Sequence, residues 1–405
     1  VGVTIFKNTL FLLLLVLISC GNKAQDRPQQ ETIESSSEPV AGAERMDRYL
    51  AQLRGKRIAL VGNQTSVVRQ VSGGLIHLVD TLLSRDIELV KVFAPEHGFR
   101  GELDAGEAVK DGVDTRTGLP VVSLYGKNKK PSSEQLQGLD LVVFDIQDVG
   151  ARFYTYISTL HYVMEACAEN SIPILVLDRP NPNGHYVDGP MLEREHSSFV
   201  GMHPVPVVYG MTMGEYASMI NGSGWLKEKQ KADLNVIPLL DYDRHKPYTL
   251  PVKPSPNLPN AQAVNLYPSL CLFEGTPISA GRGTQTQFQV FGAPFLPAKT
   301  YDHVFTPVSN PGAKYPKFEN KSCRGLDLRQ HPRLSQLELN WLIEAYRNTE
   351  DKESFFLPFF AKLAGTQELR SQIEQGMDAE DIRSSWKPGL EAFLEFRKPY
   401  LLYPE

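Results

Sequence analysis

Between Arg45 and about residue 240 the chain alternates short runs of Val, Ile and Leu with longer stretches whose apolar residues recur at helical spacing. The runs Arg57–Val61, Ile87–Phe93, Pro120–Leu124, Leu139–Phe144 and Ile172–Leu177 are apolar at consecutive positions, as in strands covered on both faces. Among the intervening stretches, Leu75, Leu78, Val79 and Leu82 form a helical stripe, and Tyr156–Glu169 carries a similar one. Strand and helix in alternation predict an α/β fold on a mostly parallel sheet. Farther on, Thr212-Met213-Gly214-Glu215 fits a capping box, because Thr and Glu side chains at this spacing can each bond the other's backbone amide. That predicts a helix from Met213 to about Asn221. The six prolines at 247, 251, 254, 256, 259 and 268 predict no regular helix there, but a crossover between two domains with its boundary near residue 265. Beyond Leu334 the pattern is mainly helical, with Leu337, Trp341, Leu342, Ile343 and Tyr346 supplying apolar faces.

The N-terminus follows a different rule. After Lys7, the apolar run Leu10–Ile18 is shorter than the roughly 20 residues a membrane-spanning helix needs, and it matches the apolar core of a signal peptide. Leu17-Ile18-Ser19-Cys20 resembles the bacterial lipobox, which predicts lipidation of Cys20 as the first mature residue; the alternative is an ordinary secretory signal with an incidental Cys. Residues 21–44, polar and lacking apolar periodicity, are expected to be a flexible tether. The expectation is a membrane-anchored, periplasm-facing lipoprotein whose folded part need not touch lipid.

Composition narrows the function classes. The 405 residues carry 42 Lys plus Arg against 47 Asp plus Glu, a net charge of −5, so no dense basic surface for nucleic acid is expected. A hydrophobic fraction of 41% is enough for two cored domains and excludes wholesale disorder. Four Cys, one of them Cys20, leave three that allow at most one disulfide, and no CxxC pattern suggests a metal.

In open α/β sheets, ligands gather beyond the carboxyl ends of the strands, so the strand exits are where chemistry is sought. They read Gly62-Asn63-Gln64-Thr65-Ser66, then Ala94-Pro95-Glu96-His97-Gly98-Phe99-Arg100-Gly101, then Tyr125-Gly126-Lys127. The last two are Asp145-Ile146-Gln147-Asp148-Val149-Gly150-Ala151-Arg152 and Asp178-Arg179-Pro180-Asn181-Pro182. No GxGxxG, P-loop, HExxH or GxSxG is present, so neither cofactor nor metal is expected. Carboxylates beside Arg, Asn, Gln and Tyr remain, the residue types of sugar-processing sites. Glu96 is the candidate general acid, between Pro95 and the flexible Gly98 and Gly101; its alternative is an ion pair with Arg100 that merely holds the loop. Asp145 and Asp148 are candidates for the second catalytic role, and Asp178 is a further polar candidate, although an Asp at a strand exit also suits a helix cap. Candidate substrate-binding residues are Asn63, Gln64, His97, Arg100, Gln147, Arg152, Tyr154, Asp178, Arg179, Asn181, Glu274 and Arg282. The last two belong to Glu274-Gly275-Thr276 and Gly281-Arg282-Gly283-Thr284, near the domain boundary.

Taken in order, PEHGFRG, LVVFDIQDVGARFYTYISTLHYVMEA, VLDRPNPNG, GMTMGE, PSPNLP, FEGTPIS and GRGT resemble the peptidoglycan exo-β-N-acetylmuramidases of the NamZ type, formerly a domain of unknown function. The match spans about residues 45–405. It implies a Rossmann-like domain over residues 45–265, a smaller α/β domain over 266–405 and a cleft between them. The implied activity is exo-cleavage of terminal N-acetylmuramic acid from the non-reducing end of peptidoglycan fragments, with the Glu of PEHG, here Glu96, as a proposed catalytic residue. Relatives reading SEGRGT have a Glu where this chain has Ala280, so that position supplies no second carboxylate here. The lactyl carboxylate of N-acetylmuramic acid calls for an Arg, and Arg100, Arg152, Arg179 and Arg282 are the choices. A non-catalytic muropeptide-binding lipoprotein, or another hydrolase on the same scaffold, are the alternatives.

Overall fold

The computed structural model describes residues 38–100 and 111–405. Cys20, the expected signal peptide and the tether as far as residue 37 lie outside the described residues. The part of the expected tether that is described, 38–44, does not hang free: Val40 exchanges two backbone hydrogen bonds with Leu240, at 2.9 and 3.0 Å, and Gly42–Glu44 form a 3₁₀ turn. Apolar Ala41 and Ala43 are buried there, which is why the chain docks where composition alone suggested a linker.

Strands β1 (Ile58–Gly62), β2 (Val67–Arg69), β3 (Leu75–His77), β4 (Leu89–Ala94), β5 (Gly112–Val113), β6 (Pro120–Ser123), β7 (Leu141–Asp145), β8 (Ile174–Leu177) and β9 (Leu234–Ile237) occupy the first part of the chain. Seven of them form one sheet in the order β5-β6-β4-β1-β7-β8-β9, parallel throughout except where the edge strand β5 runs antiparallel to β6. β2 and β3 make a separate hairpin. The chain builds outward from β1 to β4 and β6, then returns to the other side of β1 with β7, β8 and β9. This reversal creates the crevice at which ligands bind in doubly wound folds.

The consecutive apolar residues of the strands divide between two layers. Ile58 and Leu60 pack with Val92, Val143 and Leu175 under the helices Met46–Leu53 and Leu78–Leu83. Ala59 and Val61 pack with Phe93, Phe144 and Val176 on the opposite face, against the helix Tyr156–Glu169. The expected helical stripe at 75–82 divides at His77: Leu75–His77 pair as a strand, and the His77 ring accepts from the Val79 amide at 3.2 Å, capping the helix that follows. The capping box at Thr212 forms, and its helix runs Met213–Gly222.

The second half carries β10 (Val290–Ala293), β11 (His303–Phe305) and β12 (Cys323–Asp327), an antiparallel sheet in the order β10-β12-β11. Four further helices follow, Asn340–Arg347, Phe360–Ala364, Glu368–Glu374 and Ala379–Arg397. Phe291, Leu342, Phe360 and Phe393 belong to the same buried cluster as Val61 and Phe144, so one core continues from the large sheet into the C-terminal part. Cys167, Cys271 and Cys323 are buried and free.

The proline-rich segment departs from expectation at one end. No regular element lies between Ile237 and Ala261, but a helix spans Ala261–Leu270 with Pro268 inside it. Proline cannot donate to the carbonyl four residues earlier, Val264. The Asn183 side-chain amide donates to that carbonyl at 2.9 Å instead, while Asn260 caps the helix start. A partner distant in sequence thus satisfies the group that the local rule leaves open.

Candidate active site

β4 delivers the chain into the turn Pro95-Glu96-His97-Gly98, closed by the Gly98 amide on the Pro95 carbonyl at 3.0 Å. His97 has φ +69° and Gly98 φ +76°. Left-handed backbone costs a non-glycine residue roughly 1–2 kcal/mol, so the fold maintains local strain beside Glu96. The Glu96 carboxyl lines a cavity of about 320 Å³ beyond the ends of the parallel strands. One of its oxygens accepts from the Tyr125 hydroxyl at 2.9 Å and the other from Thr155 Oγ1 at 2.8 Å.

Both supporting hydroxyls are placed by secondary structure. Tyr125 follows β6, and Thr155 occupies the N-cap position of the helix Tyr156–Glu169 without making a side-chain cap bond. Its hydroxyl serves Glu96 instead, and the positive end of the helix dipole lies beside the carboxyl. Unlike an N–H group, a hydroxyl can donate or accept, so Tyr125 and Thr155 can support Glu96 in either protonation state. Burial and the neighbouring Glu96 charge push the Tyr125 phenol well above its ordinary range, so that side chain is a neutral donor.

Aromatic side chains form one wall. Phe153 and Tyr154 meet Tyr267 edge-on at 5.4 and 5.8 Å between ring centres, and Tyr267 meets Phe288 at 5.0 Å. Tyr154 is anchored by its hydroxyl on the Pro254 carbonyl at 2.8 Å. Glu274 and Arg282 also line the cavity, with Oε1 and Nε 3.2 Å apart and the guanidinium 5.4 Å from the centre of the Phe288 ring. Behind Glu274, Lys317 Nζ donates to the carbonyls of Phe273 at 3.0 Å, Thr276 at 2.7 Å and Ile278 at 3.2 Å. This ammonium gathers the FEGTPIS segment into the shape that presents Glu274. Burial lowers the Lys317 pKa, partly offset by the Glu274 charge.

Of the residues singled out from the sequence, Glu96, His97, Tyr154, Glu274 and Arg282 line this cavity. The others have structural employment. Asp145 is fully buried and paired with Arg179 through two contacts of 2.6 and 2.9 Å, which places neither group in the cavity. Asp148 is buried too, accepting from the Tyr209 hydroxyl and from the Gly150 amide at 2.7 Å, so it tethers its own loop. Burial raises the Asp148 pKa to about 6 against the pull of those two donors. Asp178 caps the helix Met213–Gly222, accepting from the Gly214 amide at 2.7 Å and from the Thr212 and Tyr403 hydroxyls.

Arg152 is wholly buried and donates to the carbonyls of Pro190, Val205, Leu363 and Ala364 at 2.6–3.0 Å, rather than to a ligand. Burial without a counter-charge depresses its pKa to about 9. Arg100 pairs with Asp114 through contacts of 3.1 and 2.8 Å, not with Glu96. Asn63 bonds the Tyr156 hydroxyl at 2.8 Å, and Gln64 bonds the Pro254 carbonyl at 3.0 Å. Gln147 bonds the Pro180 carbonyl at 2.6 Å, and Asn181 bonds the Met211 carbonyl at 2.8 Å. These four organise the loops behind the cavity.

Tyr125, which the sequence places at a strand exit without a role, lines the cavity too, as do Thr155, Asn257, Tyr267 and Phe288, and Lys317 lies behind it. Tyr125 had a legible signal as the first polar group after a strand. Lys317 had none, because its role depends on four carbonyls some forty residues earlier.

A cavity at the carboxyl ends of parallel strands, walled by aromatic rings and holding two carboxylates and an arginine, is the equipment of a glycoside hydrolase. This chain belongs to the NamZ family of exo-β-N-acetylmuramidases. The family's N-terminal domain matches residues 58–262 and its C-terminal domain residues 265–403. The chain is 40% identical over 375 residues to the peptidoglycan β-N-acetylmuramidase NamZ of Bacillus subtilis (strain 168), covering 88% of this chain and 89% of that protein. Two DUF1343 family proteins from Bacteroides fragilis NCTC 9343, known from crystal structures, share its fold. One has a TM-score of 0.83 at 46% identity, covering 91% of this chain and 100% of that one. The other has a TM-score of 0.76 at 28% identity, covering 91% and 99%.

Proposed function

We propose that this protein is an exo-acting glycoside hydrolase that releases terminal N-acetylmuramic acid from the non-reducing end of peptidoglycan fragments, with Glu96 as the general acid. The observation that carries the reading is the placement of Glu96: on a strained turn, open to the cavity, and held at both oxygens by hydroxyls. A protonated Glu96 gives its proton to the bridging oxygen as the glycosidic bond breaks, and the sugar passes through an oxocarbenium-like state. Glu274 is the carboxylate available to stabilise that centre or to activate water, because Asp145 and Asp148 are engaged elsewhere. The aromatic wall offers apolar faces to the pyranose ring. At 320 Å³ the cavity is near the lower end of ligand-binding volumes, large enough for a terminal sugar.

Anchorage through lipidated Cys20 at a periplasm-facing membrane surface rests on the Leu-Ile-Ser-Cys match and the preceding apolar run. Among the described residues no helix is long and apolar enough to cross a membrane. Incorporation of labelled palmitate into the wild type and not into Cys20→Ser tests that anchor.

The catalytic reading is tested with a chromogenic N-acetylmuramic acid glycoside. Turnover by the purified protein, reduced about 10²- to 10⁴-fold in a folded Glu96→Gln variant, is expected. Tight binding of the sugar without turnover by the wild type would mark a binding lipoprotein instead.

A further inference from the structure

The four arginines that the sequence offers for the lactyl carboxylate are not equivalent once the chain is folded. Arg152 spends its terminal nitrogens on four backbone carbonyls. Arg179 is held by Asp145 and by the Val67 carbonyl, and Arg100 by Asp114. Arg282 lines the same cavity as Glu96 and remains about one quarter exposed. Its Nε is committed to Glu274, whereas among the described residues neither terminal nitrogen has a hydrogen-bond partner.

We infer that Arg282 is the residue that distinguishes muramic acid from glucosamine, by accepting the lactyl carboxylate end-on at its two terminal nitrogens while Nε stays on Glu274. This assignment rests on the proposed function and deepens it: the two sugars differ only in the lactyl ether, so the group that reads its carboxylate sets the preference. Geometry favours arginine because a planar guanidinium matches a carboxylate with two parallel hydrogen bonds. The Glu274 contact and the Phe288 ring fix the plane of the fork before the sugar arrives, lowering the ordering cost of binding.

Charge balance points the same way. Among the described residues no carboxylate is within ion-pair distance of Lys317, whose bonds all go to carbonyls. Arg282 and Lys317 thus bring two positive groups beside Glu274. The lactyl carboxylate brings to the Arg282 terminal nitrogens a negative charge that an uncharged N-acetylglucosamine does not supply.

Calorimetric titration of the full chain with free N-acetylmuramic acid, its lactyl N-methylamide and N-acetylglucosamine tests the inference. The wild type is expected to favour the acid over its amide by about tenfold or more, the scale of a charge-assisted pair. Arg282→Met should bring that ratio close to one, and Arg282→Lys should keep only part of it, because the charge remains and the fork is lost. A ratio still above tenfold in a folded Arg282→Met variant, or no preference in the wild type, overturns the assignment. Should Arg282→Met fail to fold, ¹⁵N spectra of wild-type arginine side chains decide: terminal Arg282 resonances that move with the acid and not with the amide support the inference, and resonances that respond alike to both overturn it. Selective binding without hydrolysis would defeat the catalytic reading while leaving this one intact.

Discussion

Glu96 and Asp148 illustrate how differently two carboxyl groups behave within the same protein. Glu96 meets the cavity and is held by two hydroxyls, whereas Asp148 is enclosed and, among the described residues, its Oδ1 has no hydrogen-bond partner. Because burial raises the Asp148 pKa to about 6 from an unfolded value near 3.9, the unfolded chain releases this proton first as pH rises. The contribution of Asp148 to stability therefore falls as pH climbs from about 4 to above 6, by a total of about 3 kcal/mol. Asp148→Asn removes that titration and retains an acceptor for the Gly150 amide. Urea midpoints at pH 4 and pH 7.5 should show the variant gaining on the wild type at the higher pH; parallel profiles would mean Asp148 ionises freely.

Among the elements, the helix Ala261–Leu270 shows how a breaker is tolerated. Asn183 donates both to the Val264 carbonyl that Pro268 leaves open and to the Val149 carbonyl, each at 2.9 Å. Asn183→Ala orphans two buried acceptors and is expected to cost about 2–4 kcal/mol. Asn183→Ala combined with Pro268→Ala should recover part of that loss, since the substitution restores a backbone amide that can serve the Val264 carbonyl; no recovery in thermal melts would show that the helix does not depend on this exchange. Proline density correctly marked the irregular path from Ile237 to Ala261 but misplaced its end, because the compensating donor comes from a loop some eighty residues earlier.

On the scale of the whole molecule, Arg152 links the two halves. From the loop after β7 it reaches the carbonyls of Leu363 and Ala364, and Gly365 leaves no room for a side chain, because an added Cβ would lie 2.5 Å from the guanidinium. Arg152→Met leaves four carbonyls unpaired and should lower stability by about 3–5 kcal/mol, measured by urea unfolding. A substrate-binding Arg152 would give the opposite pattern, weakened affinity for N-acetylmuramic acid at unchanged stability. The large sheet was legible at this scale because strands buried on both faces carry unbroken apolar runs, and five runs found their strands within two residues at each end. The small sheet was not: β11 and β12 contain polar and glycine residues, and their pairing depends on a register with no local signature.

What the sequence determined by itself is the alternation of elements, the strand exits as the chemical end of the sheet, the family, and Glu96 as the acid candidate, all carried by local pattern and contiguous motifs. Tertiary structure decided which polar residues face the ligand. Asp145, Arg179 and Arg152 have the same chemistry as Glu274 and Arg282 when read along the chain. A buried charge must find a partner wherever the fold offers one, and only the folded arrangement shows whose hydrogen-bonding capacity is already used and whose is left for the sugar.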